Sequence, residues 1–172
     1  MAVPMNALAQ SDVCRGLSDA EIRTIHALTE EVRAAAGQAL FREGEAGDAL
    51  FLVLSGELEV LKRDREGKDR PIATVSTGAV LGEMSLVQQS SRSATVSASQ
   101  DAVLLKIPAS RFQGLLSQDA VAALKVVRNV AKVLSQRLAR LDQRVVDLLA
   151  QADGSRHEEL SEFQKVLQNW SF

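Results

Sequence analysis

Apolar residues recur with a helical period near the start of the chain. They switch to strand-like spacing between Val32 and Ile107 and return to the helical period after Pro108. Ser18 to Glu21 forms a capping box, in which the serine hydroxyl and the glutamate carboxylate satisfy free amides at a helix start. Leu17 and Ile22 have the spacing of a hydrophobic staple across that start. Ile22, Ile25 and Leu28 then mark one face of a short helix ending near Glu30. In the middle stretch Gly37, Gly44, Gly47, Gly56, Gly67, Gly78 and Gly82 punctuate short segments, which predicts the turns of an antiparallel barrel or sandwich. Leu50 to Leu54 is almost wholly apolar and reads as a central strand. Glu57 to Val60 alternates, sending Leu58 and Val60 inward, and Glu66 to Asp69 is the polar tip of a hairpin.

Beyond Pro108, Phe112, Leu115 and Leu116 predict a short helix, and a long one follows from about Asp119 to Ala150. In it Val127, Ala131, Leu134, Leu138, Leu141, Val145 and Leu148 fall four and three residues apart in turn. That is the heptad seam of a helix that pairs with a copy of itself. The competing reading packs this stripe back on the strands, but at ~1.5 Å per residue the helix outruns a small β-domain. Gly154 stops it. Ser155 to Glu158 is a second capping box, and Leu160, Phe163, Leu167 and Trp170 form the stripe of a short terminal helix.

Composition narrows the function classes. The 172 residues are 46% hydrophobic and 24% charged, as in soluble globular proteins. A net charge of -2 advertises no general affinity for nucleic acid or anionic membrane. A lone cysteine, Cys14, in a segment that reads as mobile, permits no internal disulfide. No apolar run reaches the ~18 residues of a membrane span. The start, Met1 to Met5, lacks the basic and apolar regions of a secretory signal, so a cytoplasmic location is expected. His26 and His157 are too far apart in sequence to suggest a metal centre, and no serine stands beside a base. Neither a metal site nor a catalytic residue is expected, and the chain does not read as an enzyme.

The chemistry is concentrated between Gly82 and Val96. Gly82 lets a ligand approach the backbone, and the amides of Glu83, Met84 and Ser85 would open a helical turn that attracts an anion. Strand parity puts Arg92, Ala94, Val96 and Ala98 on the inward face. An inward guanidinium needs an anion. Two sources fit: a permanent Glu83–Arg92 ion pair closing one end of the fold, or a ligand phosphate held by the planar fork of the arginine.

Leu81 to Leu86 followed by Arg92 to Val96 resembles the phosphate-binding cassette of the cyclic nucleotide-binding domain family, of the catabolite activator protein and cAMP-dependent kinase regulatory subunit type. The resemblance runs over about Leu17 to Ala150 and includes Phe41 to Gly44, Gly47 to Phe51 and Leu54 to Glu57. It implies an antiparallel β-jelly-roll barrel, mainly β with flanking helices, followed by a long C-terminal dimerisation helix. The implied parts are an N-terminal extension (1–17), a cyclic nucleotide-binding β-roll (18–117), a coiled-coil-like helix (118–153) and a short amphipathic helix (154–172).

By the same resemblance, Glu83 would accept a hydrogen bond from the ribose 2′-hydroxyl and Arg92 would pair with the cyclic phosphate. Gly82, Met84, Ser85 and Ala94 would hold ligand oxygens mainly through backbone groups. The hydroxyl of Ser93 would meet the phosphate or favour the guanine amino group. The implied ligand is cAMP, with cGMP as the alternative, and no other cofactor. The residue capping the base is open among Arg137, Leu141, Asp142 and Arg144. Ser91 stands where many members have proline, which loosens the loop without removing a contact group.

Only 22 residues follow Ala150, too few for the DNA-binding module of the activator subgroup. Lys125, Arg128, Lys132, Arg137, Arg140 and Arg144 read as a solvated flank or as pairs for Asp142 and Asp147, so no DNA binding is expected. The expectation is a cyclic nucleotide sensor, homodimeric through its 119–150 helix, that signals through its C-terminal helices to an unidentified effector protein. The alternative is a nucleotide-free dimeric interaction scaffold of the same fold.

Overall fold

The capping box at Ser18 forms as the sequence dictates. The Glu21 amide donates to the Ser18 hydroxyl (3.4 Å) and the Ser18 amide to the Glu21 carboxylate (2.7 Å), opening helix α2 (Asp19–His26). The computed structural model describes residues 5–84, 86 and 90–151, with side chains as far as residue 147. Residues 5–17 are ordered too, which corrects the sequence reading. Helix α1 (Met5–Gln10) and a 3-10 turn (Asp12–Cys14) bury Leu8, Val13 and Cys14. Cys14 is therefore a core residue rather than part of a mobile segment, and burial pushes its thiol up to about 11 against a hydrogen bond from Ser11. At pH 8 only about a thousandth of it is thiolate. An aromatic disulfide reagent is expected to leave Cys14 untouched in the native protein and to label it fully in denaturant; fast native labelling would show that the segment opens.

Eight strands follow: β1 (Glu30–Ala34), β2 (Ala39–Phe41), β3 (Ala49–Ser55), β4 (Glu57–Arg63), β5 (Asp69–Ser76), β6 (Val80–Leu81), β7 (Thr95–Ala98) and β8 (Ala102–Pro108). They make two antiparallel four-stranded sheets, ordered β1-β8-β3-β6 and β2-β7-β4-β5. The expected barrel is thus not closed. The ladders stop at β1 and β6 in one sheet and at β2 and β5 in the other, and β2 and β6 are only three and two residues long. Chain crossings between two facing sheets give the double-sheet form of a jelly roll. Ala34, Phe51, Val53, Leu81 and Leu104 from the first sheet share one core with Leu58, Val96 and Ala98 from the second. As its composition suggested, β3 is central, with Leu50 to Val53 buried on both faces. Arg63 pairs with Asp69 around the expected hairpin tip, where the Asp64 carboxylate accepts the amides of Glu66 and Lys68 (both 2.9 Å).

Helix α3 (Ala109–Leu116) lies against β3 and β8 and buries Phe112. Helix α4 (Val121–Gln151) follows, and the chain divides between Ala131 and Lys132 into two compact units. In the first unit α4 buries Ala122, Ala123, Val126, Asn129 and Val130. The Asn129 amide donates to the carbonyls of Val13 (3.1 Å) and Arg15 (2.8 Å). Lys125 pairs with the capping carboxylate Glu21 (2.8 Å), which this bond and the Ser18 amide hold below the usual carboxylate range. In the second unit Leu134 and Val145 are half-buried, while Leu138 and Leu141 are exposed. The helix thus carries two apolar stripes, and the heptad seam is not the stripe buried in the first unit: Ala131 is exposed there. The side chain of Leu148, and the terminal helix expected over 154–172, lie outside the described residues.

Candidate anion-binding site

Arg92 lies ahead of β7, separated from it by a bend at Ser93 and Ala94. It is buried as expected, although not by strand parity alone: Thr95, of the opposite parity, is buried along with Val96 and Ala98. The Arg92 backbone is pinned to the turn after β2. The Arg92 amide donates to the Glu45 carbonyl (2.8 Å), and its carbonyl accepts from the Gly44 amide (2.9 Å). The neighbouring Ser91 bridges to Ala46. The guanidinium then spans the ends of several strands. Nη1 donates to the Ala49 carbonyl and Nη2 to the Asp48 carboxylate (both 2.8 Å). Cζ lies 4.2 Å from the centre of the Phe41 ring and 5.5 Å from that of Phe51. Burial lowers the basicity of Arg92, while the charges of Asp48, Glu45 and Glu83 oppose that; an arginine stays cationic regardless.

Asp48 is the residue that sequence reasoning missed. It sits in the Gly47–Phe51 stretch, but nothing local ties it to a side chain 44 positions away. Its second oxygen accepts from Lys106 Nζ (2.8 Å), so one carboxylate serves two cations. Partial burial pushes the Asp48 carboxyl up. The Lys106 bond, then the charges of Lys106 and Arg92, outweigh it and hold the group below its ordinary value. The two sources of negative charge considered for Arg92 were Glu83 and a phosphate; the ion pair with Asp48 is a third. Glu83 is buried and adds its charge to the same guanidinium.

Gly82 has φ +68°, and a Cβ there would collide with Arg92 Nη1 and come within 2.8 Å of the Ala49 carbonyl. The glycine expected to admit a ligand already admits the arginine. Met84 is partly exposed and, like Leu86, helical. The buried Leu86 lends its carbonyl to the Gln113 side chain of α3 (3.0 Å). Ser85 lies outside the described residues. At the far end of the cassette, Lys62 donates to the Ser93 carbonyl and to Glu43 (both 2.6 Å), and the Glu43 amide donates to the Thr95 hydroxyl (3.0 Å). Ala94 is half-buried beside them. The four candidate base-capping residues, Arg137, Leu141, Asp142 and Arg144, lie on α4 in the second unit. Among the described residues no group of three or more His, Cys, Asp or Glu could hold a metal ion, and no helix is long and apolar enough to cross a membrane.

Comparison with known proteins places this geometry. The profile of the cyclic nucleotide-binding domain matches residues 31–119. A cyclic AMP receptor protein of Thermus thermophilus is 33% identical over 118 residues, 66% of this chain and 50% of that protein. A cyclic nucleotide-binding domain from Methylobacillus flagellatus is similar in structure, with a TM-score of 0.76, 26% identity and 83% of each chain covered. The regulatory domain of Toxoplasma gondii PKA, crystallised with cAMP, has a TM-score of 0.60 at 29% identity, over 64% of this chain and 42% of that one. The chain spans half of the Thermus receptor, and only 7% and 8% of two Aspergillus lysophospholipases that it also matches. Asp48, Gly82, Glu83, Arg92 and Lys106 all fall inside the matched span.

Proposed function

Because this chain belongs to the cyclic nucleotide-binding domain family, we propose that it is a regulatory, non-catalytic cAMP-binding module in which Arg92 takes the cyclic phosphate. The observation that carries the reading is the inward, buried Arg92 held against the bare backbone of Gly82. A guanidinium there offers a planar fork to two phosphate oxygens, which Asp48 occupies in part in its place. Glu83 accepts from the ribose 2′-hydroxyl. Gly82, Met84, Ser85 and Ala94 supply backbone contacts, and the Ser93 hydroxyl meets the phosphate. The name of the Thermus receptor and the cAMP in the Toxoplasma crystal favour cAMP over cGMP.

Output runs through the C-terminal helices to an effector protein in the cytoplasm. The exposed Leu138 and Leu141, with the half-buried Leu134 and Val145, form the stripe through which two copies pair. A second reading, the nucleotide-free scaffold, draws support from one observation: Arg92 already has Asp48, Ala49 and Phe41 around it. Titration calorimetry with cAMP and with cGMP separates the two. The expected result is saturable heat with cAMP binding more tightly; a folded protein giving none up to about 100 µM of either nucleotide defeats the sensor.

A further inference from the structure

We propose that Lys106 is a positioning residue for the nucleotide: by holding the second oxygen of Asp48, it leaves Arg92 able to turn its fork to a phosphate. This rests on the reading of the site just given. Lys106 lies on β8 opposite Phe51 of β3 and Glu30 of β1. It continues the line of Ala102 and Leu104, which face the core between the sheets. A cation thus stands on an inward-facing line of apolar residues, with its side chain only 25% exposed.

The charges around it explain its use. Asp48, Glu45 and Glu83 all act on Arg92. A carboxylate bound by Arg92 alone is a direct rival to a phosphate for the same N–H groups and repels the phosphate as it arrives. Shared with Lys106, the same carboxylate keeps a strong partner when Arg92 lets go. Lys106 outweighs Arg92 in keeping Asp48 ionised, in line with this division. The carboxylate that could draw Lys106 away, Glu30 on the next strand, is engaged by Arg111 (2.9 Å).

The test is a double-mutant cycle read by cAMP calorimetry on the full chain, with thermal unfolding recorded in parallel. Lys106→Met keeps the apolar stem and removes the charge, and is expected to weaken cAMP binding about tenfold. In an Asp48→Asn background the same substitution is expected to change affinity less than about twofold, because there is no carboxylate left to hold. That loss of effect is a readout a merely structural lysine would not give. Equal binding by the parent and Lys106→Met overturns the inference alone, as does a tenfold loss that persists undiminished with Asp48→Asn. No binding by the parent protein defeats the nucleotide reading and this inference together.

Discussion

Alanine at position 82 is expected to lower folding stability by about 2–5 kcal/mol, combining ~1–2 kcal/mol for a side chain in the left-handed region with ~1–3 kcal/mol for overpacking. The added methyl meets Arg92 Nη1 and the Ala49 carbonyl, and neither gives way easily. The carbonyl belongs to the first residue of β3 and the guanidinium is fixed by Asp48, Ala49 and Phe41. Nucleotide affinity should fall with stability, since the group to be displaced is the one proposed to hold the phosphate. Urea unfolding measures the first effect and calorimetry at low temperature the second. A Gly82→Ala protein with an unchanged midpoint would show that Arg92 can leave its place at little cost.

The other large effect is expected at Arg92. Arg92→Ala should weaken cAMP binding by at least about 100-fold, the loss of a two-pronged charged hydrogen bond to phosphate. The accompanying fall in stability should be about 3–5 kcal/mol, because removal leaves the buried Glu83 without the guanidinium that its charge acts on, whereas Asp48 loses little. Asp48 is 60% exposed and retains Lys106. Arg92→Lys sharpens the comparison: it keeps a cation over Phe41 but loses the fork, so affinity should drop about tenfold. A scaffold without ligand would show stability changes in both variants and no nucleotide heat in the parent. Parent-like cAMP binding by Arg92→Ala would end the phosphate assignment.

What the sequence revealed was what depends on neighbours in the chain. The capping box, the hairpin tip and the apolar run of β3 are all set within a few residues, and each is found where the pattern puts it. Arg92 is buried as expected, but across a bend that interrupts the strand parity used to place it. Closure was not legible, since whether eight short strands form a barrel or two sheets depends on ladder bonds between distant edges. The partner of Arg92 was hidden for the same reason: Asp48 meets it only when the turn before β3 folds over the end of β7. On α4 the pattern was ambiguous rather than silent. Val126 and Val130 mark one stripe and Leu134, Leu138 and Leu141 another, and the heptad drew attention to the second. The N-terminal segment escaped because α1 is six residues long, too short for a period to show.

The clasp of Asn129 on the Val13 and Arg15 carbonyls bears on where this protein can be cut. A fragment trimmed to residues 31–119 would keep all eight strands except Glu30 at the start of β1, together with Asp48, Gly82, Glu83, Arg92 and Lys106. It would discard Leu8, Val13, Ile22, Ile25, Val126 and Val130, six aliphatic side chains that are 4% exposed or less. At roughly 1.5–3 kcal/mol each, their burial is worth on the order of 10 kcal/mol, comparable to the whole stability of a typical domain. The boundary of family likeness is therefore not the boundary of cooperative folding. A binding constant measured on the trimmed piece would report the work of folding it as much as the strength of the site.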